Sequence, residues 1–258
     1  MLILLPPSEG KTSPARGTPV DLTSLSHPEL SEHRERLLDL VIDASARPDA
    51  ARVLDIPPTL TAEIEHNTTL RSAPAAPAAK VYTGVLYAAA GLDALTGTAR
   101  RRANRSVRIV SGLWGVLAPT DRIPAYRTSI CAKLPGIGEL TQYWAPALKQ
   151  TLGEDWGVVI DSRSSSYLPT WRPPSGLPWL TVRVVQIRDG KPSVVSHFAK
   201  HTRGVLTHHL LTRPGAPPRT PAQVLAAAQE LIPTVLREAS LLPRAGRTGP
   251  DTLELVLA

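Results

Sequence analysis

Cysteine, phenylalanine and methionine are nearly missing from this chain, since each occurs only once in its 258 residues. An internal disulfide needs two cysteines and a thiolate metal site needs several, so Cys131 alone excludes both and fits a reducing compartment. A long apolar run is also missing, because the run from Met1 to Leu5 stops at Pro6-Pro7 and lacks a basic leader. We therefore expect no signal peptide, no membrane span and a cytoplasmic location.

Disorder and a collagen-like repeat are excluded by the composition, which is 42% hydrophobic with a mean hydropathy of -0.06. A soluble globular chain of this length can bury a sizeable core in one large domain or two small ones. The sequence has neither an internal repeat nor a long linker. We therefore expect a single domain over residues 1–258.

Basic residues outnumber acidic ones, 29 to 22, which gives a net charge of +7 and a pI near 9.9. This balance favours polyanionic partners such as nucleic acid, nucleotides or anionic lipid. The basic residues form two clusters, which are Arg100, Arg101, Arg102, Arg105 and Arg108 in one, and Lys200, His201 and Arg203 in the other. A solvated helix face explains either cluster about as well as phosphate binding does.

Hydrophobic patterning predicts a mixed α/β fold with a central mixed sheet and surrounding helices. The predicted strands are residues 2–5, 107–110, 158–160 and 253–257, with an antiparallel pair at 181–187 and 193–196 around a turn at Asp189-Gly190. The predicted helices are residues 28–46, 86–95, 199–211 and 223–239.

Polar residues follow two of the predicted buried strands. A long loop over residues 6–19 carries Ser8, Glu9 and Lys11, and loops of that length are often functional. The strand at 158–160 leads into residues 161–167, which are mostly polar. Side chains that leave strand ends in this way can line a pocket.

The densest polar segment runs from Val110 to Asp121 and on to Arg127, with two glycines, two prolines, two aromatic residues and both charge signs. One interpretation is a turn that holds polar groups over a pocket. The other is a tight strand-to-helix turn, in which Asp121 caps a helix while Tyr126 and Arg127 pack on the surface.

A helix-hairpin-helix is predicted around Gly136 and Gly138, between a helix-compatible run that ends near Lys133 and a second that starts at Glu139. Glycines in such a hairpin let the backbone approach a phosphate, and the next helix directs N–H groups at it. Basic flanking by Arg127 and Lys133 agrees with this interpretation, although Glu139 would repel a phosphate. An ordinary helix-to-helix connection explains the pattern equally well.

Three familiar motifs are incomplete. Gly10-Lys11-Thr12 ends like a P-loop, but the first glycine of that motif would fall at Leu5. His197 and His201 have the spacing of a zinc helix without a third ligand, and Ser111 lacks the glycines of a nucleophile elbow. We therefore predict no metal site and no cofactor.

An ordered set of motifs resembles the YaaA peroxide-stress protein family. The motifs are Tyr82-x-Gly84, Ser111-Gly112-Leu113-Trp114-Gly115-x-Leu117-x-Pro119-x-Asp121, Pro124-x-Tyr126-Arg127, Trp144, Asp161-x-Arg163-Ser164-x-x-Tyr167 and Lys200-x-x-Arg203-Gly204. The opening loop from Pro6 to Lys11 is similar to the family's N-terminal Ser-Pro-x-Lys loop. The resemblance extends from the first strand to about Leu211.

The resemblance implies a single mixed α/β domain with a positively charged cleft and a helix-hairpin-helix. It also implies a DNA-binding protein that limits oxidative damage to DNA and lowers free iron under peroxide stress. The chain departs from the better-known pattern at Trp114, which replaces a tyrosine, and at Ser166, which stands where a glutamate often precedes the tyrosine. The missing glutamate counts against carboxylate-dependent chemistry, and the region after Leu211 matches poorly.

Three functional hypotheses follow, of which the third is a scaffold or regulator with neither DNA binding nor catalysis. The family motifs would gather polar residues at strand ends, namely Ser8, Lys11, Ser111, Asp121, Tyr126, Arg127, Ser164, Tyr167, Lys200 and Arg203. The first hypothesis is sequence-independent binding to the DNA backbone through Arg100, Arg101, Arg102, Arg105, Lys133, Gly136 and Gly138. The second is an enzyme acting on a nucleotide, nucleobase or other small anionic metabolite.

The enzyme hypothesis assigns four candidate catalytic residues, which are Lys11, Asp121, Tyr126 and Tyr167. Lys11 or Lys200 would position the anion, and an acid or a tyrosine would move a proton. The phosphate or ligand would be held by Ser8, Ser111, Arg127, Ser164, Lys200 and Arg203. A deep pocket that contains Lys11 and Asp121 favours catalysis, whereas an open basic groove past Gly136 favours DNA. The oligomeric state is left open.

Overall fold

The computed structural model describes residues 1–153, 155–188, 191–194, 196–244, 246 and 248–258. The strands in these ranges are β1 (Leu2–Leu5), β2 (Ala76–Pro77), β3 (Val107–Ser111), β4 (Gly115–Leu117), β5 (Arg122–Ile123), β6 (Lys133–Leu134), β7 (Gly138–Glu139), β8 (Val159–Asp161), β9 (Trp179–Arg188), β10 (Lys191–Val194), β11 (Leu236–Leu242) and β12 (Asp251–Leu257).

The α-helices in the same ranges are α1 (Ser31–Ser45), α2 (Ala50–Val53), α3 (Thr61–Glu65), α4 (Ala78–Val81), α5 (Val85–Ala90), α6 (Gly97–Ser106), α7 (Leu140–Thr151), α8 (Ser196–Thr212) and α9 (Pro221–Gln229). Short 3-10 helices occur at Leu22–Ser24, Pro28–Leu30, Pro58–Leu60, His66–Thr69 and Ser165–Thr170. No helix of this set is long and apolar enough to cross a bilayer.

The central sheet has β1 in its interior, and every side chain of this strand of leucine and isoleucine is buried. The strand order is β11-β12-β9-β8-β1-β3-β4, and β10 also pairs with β9. β1 runs parallel to both β3 and β8, with Ile3 opposite Val107 on one side and Ile160 on the other. A strand covered on both faces needs a mostly apolar run, which these three segments supply apart from Arg108 in β3 and the polar residues at the ends of β3 and β8.

The sheet is mixed, as predicted. β8, β9 and β12 continue the parallel part, whereas β4, β10 and β11 pair antiparallel to their neighbours. The predicted antiparallel pair is present as β9 and β10, while the predicted turn at Asp189-Gly190 lies outside the described residues. One hydrophobic cluster extends from β1 through the helices to β12.

A buried arginine joins α1 to the edge strand β4. The Arg34 guanidinium donates to the carbonyls of Trp114 (3.1 Å), Val116 (2.9 Å), Ser26 (2.8 Å) and His27 (3.1 Å). Burial lowers the pKa of Arg34 to about 10. The carbonyls that an edge strand leaves unpaired are thereby satisfied inside the protein.

Two predicted helices are present but end earlier than predicted. The helix predicted at 223–239 ends at Gln229; residues 230–235 form turns, and only residues 236–239 of that segment belong to β11. Pro233 lacks the N–H that a continuing helix would use, and its ring would crowd the carbonyl of Gln229, so a helix across it is disfavoured. The helix predicted at 86–95 ends at Ala90, where Gly91 adopts the left-handed conformation (φ 56°) that terminates helices.

The helix-hairpin-helix prediction is wrong. β6 and β7 form a two-stranded antiparallel hairpin, in which Lys133 pairs with Glu139. Gly136 in the turn and Gly138 at the start of β7 have φ values of +76° and +72°, which suit a tight connection between strands. Only the second predicted helix is present, as α7, and it starts directly after β7 at Leu140.

We expect Gly115→Ala to lower the free energy of unfolding by about 2–4 kcal/mol, because strain and overpacking add. Gly115 has φ +71°, and a Cβ there would lie 2.7 Å from the ring of Trp144, a fully buried side chain. Urea unfolding measures the difference.

Gly136→Ala is the matched control. Its φ is similar, but nothing lies within 4 Å of an added Cβ, so only backbone strain of about 1 kcal/mol should remain. Equal losses in the two variants would contradict the packing of Trp144 against Gly115.

Candidate functional site

A cavity of about 510 Å³ lies beside the loops that follow β1 and β8. Its wall also includes the start of α5, the segment after β5 and one side of α8. The lining residues are 6–11, 55–57, 84–87, 126–130, 164, 166, 167, 200 and 203. This position agrees with the general placement of ligand sites at the carboxyl ends of parallel strands.

The loop after β1 is fixed to the segment before α5. The N–H of Thr83 donates to the Gly10 carbonyl (3.0 Å), and the Ser8 hydroxyl donates to the Thr83 carbonyl. Only glycine suits position 84, because its φ is +123° and a Cβ would lie 2.6 Å from Ser8 Oγ. These bonds hold the loop so that Lys11 lines the cavity.

Lys11 contacts neutral groups inside this cavity. Its Nζ donates to the Ser8 carbonyl (2.7 Å) and lies 4.5 Å from the ring centroid of Tyr126 and 5.7 Å from that of Tyr82. Burial, and secondly the positive charge of Arg127, lower the pKa of Lys11 to about 7, although two carboxylates in the surroundings oppose the shift. Near neutral pH this amine therefore exists in both protonation states.

A chain of buried hydroxyls lies behind the Tyr126 ring. The Tyr126 hydroxyl is 2.9 Å from the Tyr82 hydroxyl and 2.7 Å from Ser111 Oγ, which accepts the N–H of Trp114 (3.0 Å). Burial raises the pKa of Tyr126 to about 12 and that of Tyr82 well above 10. Both phenols are neutral at physiological pH. Ser111, predicted to bind the ligand, supports Tyr126 and does not line the cavity.

The loop after β8 is held by a buried ion pair. Arg163 Nη2 lies 2.7 Å from Asp161 Oδ2, and both side chains are fully buried. The guanidinium also donates to the carbonyls of Tyr167 (3.1 Å) and Trp171 (2.9 Å). The pair therefore fixes the 3-10 helix that brings Tyr167 to the cavity, and its removal would leave one charge buried alone.

Tyr167, Ser164 and Ser166 line the cavity from this loop. The hydroxyls of Ser164 and Ser166 are 3.2 Å apart. Burial raises the pKa of Tyr167 well above 10, so its hydroxyl is protonated at neutral pH. Among the described residues nothing hydrogen-bonds to that hydroxyl, which leaves it available to a ligand.

Three further cations line the cavity. Arg127 Nη1 donates to the Glu9 carbonyl (2.6 Å) and lies 3.3 Å from a Glu63 carboxylate oxygen. Arg203 donates to the Val182 carbonyl through Nε (3.1 Å) and Nη2 (2.8 Å), and burial lowers its pKa. Lys200 is exposed on α8. Together with Lys11, which is only partly protonated near neutral pH, they outnumber the lining acids, Glu9 and Asp55, a balance that would favour an anionic ligand.

Asp121, predicted to act in the cavity, lies outside it. Its carboxylate accepts the N–H (2.9 Å) and the hydroxyl (2.8 Å) of Ser26, and the N–H of Ala118 (2.9 Å). The side chain is buried and does not line the cavity. It caps no helix; it fixes the turn after β4 and is not placed to move a proton in the cavity.

The predicted DNA contacts divide into exposed and structural residues. Arg100, Arg101 and Arg105 are exposed on α6. Arg102 instead donates to carbonyls around the end of α8, those of Leu210, Leu211, Arg213 and Gly215. Cations at this end of a helix satisfy carbonyls that lack partners and oppose the helix dipole. Arg102 is therefore committed to the fold.

The basic side chain of the β6–β7 hairpin, Lys133, is less available to DNA than predicted. Lys133 Nζ lies 2.8 Å from a Glu139 carboxylate oxygen, and the Gly136 carbonyl accepts a bond from Arg36 (3.2 Å). Gly138 lies in β7 opposite Leu134. The turn leads into β7 and not directly into a helix, so it does not direct a helix N-terminus at a phosphate as predicted.

Sequence reasoning missed the part of the wall formed by residues 55–57, Gly84–Tyr87 and 128–130. Tyr87 donates to the Pro6 carbonyl (2.7 Å), and the Thr128 hydroxyl is buried without a partner in the described ranges. No local signal marks these residues, except that Gly84 and Tyr82 belong to one family motif. In the part of the chain that the structure describes, no three His, Cys, Asp or Glu side chains meet in a way that could hold a metal ion.

We expect Lys11→Met to raise the free energy of unfolding at pH 6 by about 1–2 kcal/mol. The folded state lowers the pKa of Lys11 from 10.5 to about 7, so holding the charge is costly below pH 7. That cost is relieved as the pH rises from 7 to 10.5, where only the unfolded chain binds the proton. Urea unfolding at pH 6 and pH 10 should show the advantage of the variant shrinking, and an advantage that grows would contradict the burial of this amine.

Comparisons with known proteins agree with the sequence motifs. A family model described as "Peroxide stress protein YaaA" matches residues 1–223, which ends inside α9. A UPF0246 protein of Streptomyces coelicolor is 41% identical over 235 residues, covering 90% of each chain. A UPF0246 protein of Corynebacterium efficiens is 42% identical over 219 residues, covering 83% of this chain and 86% of the relative. More distantly, one from Hahella chejuensis is 32% identical over 139 residues, about half of each chain.

The family match covers every cavity-lining residue, from the loop after β1 to Arg203 in α8. β11 and β12 lie beyond the matched range, although they pair into the same sheet. This chain belongs to the peroxide stress protein YaaA family.

Proposed function

We propose that this protein acts in the peroxide stress response by binding a small anionic metabolite, such as a nucleotide, in the cavity beside β1 and β8. Family membership supports the role in peroxide stress. The observation that supports an anionic ligand is that four basic side chains line one cavity, namely Lys11, Arg127, Lys200 and Arg203. Its volume of about 510 Å³ suits a small molecule.

Aromatic side chains favour a ligand that has a planar ring as well as an anionic group. Tyr126, Tyr87 and Tyr167 all line the cavity. Tyrosine rings stack on bases, while arginine and lysine bind phosphate oxygens. A phosphate beside a nucleobase satisfies both kinds of group.

The cavity also contains groups suited to catalysis. Lys11 can release or accept a proton near neutral pH because its pKa is about 7, and the Tyr167 hydroxyl is a neutral donor without a partner among the described residues. Acid–base catalysis is most efficient with a group whose pKa lies near the working pH, a condition that Lys11 meets, whereas the tyrosines act as neutral proton or hydrogen-bond donors. These two side chains, with Tyr126, are the candidate catalytic residues.

We expect Lys200→Met to weaken the binding of nucleoside monophosphates about tenfold, since removing one ion pair with the phosphate at a partly exposed site costs about 1.4 kcal/mol. Uncharged nucleosides should lose much less. Isothermal titration calorimetry with mononucleotides, nucleosides and nucleobases measures both effects.

Lys149→Met is the matched control, because Lys149 is also exposed, carries the same charge and lies on α7 outside the cavity. Its affinity should equal that of the unchanged chain. Equal weakening in the two variants, or no binding from the whole panel, would overturn the assignment of the cavity.

Binding to the DNA backbone, which would limit iron-dependent damage to DNA, is a second candidate function. The exposed Arg100, Arg101 and Arg105 on α6 and the net charge of +7 favour it. Contacts of this kind recognise phosphates and carry no sequence preference. The altered hairpin and the structural role of Arg102 leave fewer contacts than the sequence predicted.

We expect replacement of Arg100, Arg101 and Arg105 by alanine to weaken binding to a labelled duplex, equally for unrelated sequences. The slope of log affinity against log salt should fall by roughly 0.9 for each phosphate that the variant no longer neutralises. Fluorescence anisotropy at several salt concentrations measures it.

A control with the same net charge replaces Lys80, Lys149 and Arg237 by alanine, since these cations are exposed outside α6. It should retain the original salt slope. A slope that changes equally in both triple variants would assign the effect to net charge and remove the α6 arginines from the interface.

A further inference from the structure

The Lys11 amine differs from a lysine that holds the fold through an ion pair. Lys133, for comparison, lies 2.8 Å from the carboxylate of Glu139. The contacts of Lys11 Nζ are the Ser8 carbonyl at 2.7 Å, the Glu9 carbonyl at 3.5 Å and the face of Tyr126. In the described ranges no carboxylate lies within ion-pair distance of it.

Glu63, one of the two carboxylates whose charge acts on Lys11, is engaged elsewhere. The Glu63 carboxylate lies 3.3 Å from Arg127 Nη1, and that same nitrogen donates to the Glu9 carbonyl. A cation with such neighbours is not balanced by an acid, and burial favours its neutral form. A neutral amine keeps a lone pair that can attack carbon.

The rest of the cavity would hold an anionic ligand against this amine. Lys200, Arg203 and Arg127 line the same space, and the free hydroxyl of Tyr167 faces no other partner in the described chain. Desolvated lysines that serve as nucleophiles form imines with carbonyl compounds. The geometry thus combines a nucleophile, anion-binding cations and a proton donor.

We propose that Lys11 forms an imine with a small anionic ligand that carries an aldehyde or ketone group; this inference rests on the proposed anion-binding function. Nζ adds to the carbonyl carbon, and one amine proton passes to the former carbonyl oxygen to give a carbinolamine. The carbinolamine then loses its hydroxyl as water, with a proton supplied by a cavity acid such as Tyr167, and the remaining N–H proton returns to that acid. The neutral imine and one water result without any oxidant or reductant.

Pyridoxal 5′-phosphate is a suitable probe because it joins an aldehyde, a ring and a phosphate. Borohydride reduction would fix the imine, and peptide mapping by mass spectrometry would identify which of the six lysines in the sequence is labelled. At pH 7.5 we expect Lys11 to be labelled about tenfold faster than the exposed Lys149, since its lowered pKa leaves much of the Lys11 amine in the neutral, nucleophilic form.

The dependence of labelling on pH is a second readout in the unchanged protein. Labelling of Lys11 should rise with a midpoint near pH 7 and then level off. Even labelling of all lysines, or labelling that favours Lys200, would overturn the inference. This readout does not depend on how any variant folds.

Lys11→Arg tests imine formation, because arginine keeps the charge but has no nucleophilic amine. We expect it to lose the reducible adduct, and the binding of pyridoxine 5′-phosphate, which lacks the aldehyde, is measured on the unchanged chain. Lys149→Met should keep both the adduct and this binding. An adduct that persists in Lys11→Arg would overturn the inference.

Two failures can be distinguished. If pyridoxine 5′-phosphate and mononucleotides bind but no lysine in the cavity is labelled, the imine is wrong and the anion site stands. If neither the aldehyde probe nor any phosphate binds, the proposed function fails and the imine with it.

Discussion

Parallel pairing of β1 with both β3 and β8 is the constraint on which the candidate site depends. It places the end of β1, at Leu5, beside the end of β8, at Asp161, so that two polar loops begin at one edge of the sheet. Each loop is then fixed by its own contacts, the first through Thr83 and the second through Arg163. Without this pairing, Lys11 and Tyr167, which are far apart in sequence, would not share a cavity.

The same arrangement carries an electrostatic cost at Lys11. The fold places its amine among carbonyls and tyrosine rings, and gives the nearby acid Glu63 to Arg127. Stability alone would favour an apolar side chain at that position, whereas an anionic ligand would supply the missing negative charge. Such a conflict between local stability and placement is typical of functional sites.

Patterns within one segment predicted much of the fold. The strands predicted at β1, β3 and β8 and the long helix predicted at α8 are confirmed. In these segments the pattern of buried side chains is itself enough to distinguish a strand from a helix. The ordered motifs also identified the family and named eight of the cavity-lining residues: Ser8, Lys11, Tyr126, Arg127, Ser164, Tyr167, Lys200 and Arg203.

The errors arise where partners distant in sequence decide the outcome. Gly136 and Gly138 suit a turn between helices or between strands, and only the pairing of Lys133 with Glu139 selects the second. Arg102 has the sequence context of its exposed neighbours, yet the end of α8 engages it. Asp121 has the residue type of a catalytic acid, but Ser26, 95 positions away, binds its carboxylate. No local pattern contains these partners.

We infer that the cavity is an anion site built around the Lys11 amine, which has no carboxylate partner among the described residues. An NMR titration of the lysine side chains, with and without adenosine monophosphate, tests this assignment. We expect Lys11 to titrate near pH 7 in the free protein and its midpoint to rise when the anion binds, because a negative charge favours the ammonium form. Titration of Lys11 near pH 10 in both samples would contradict it.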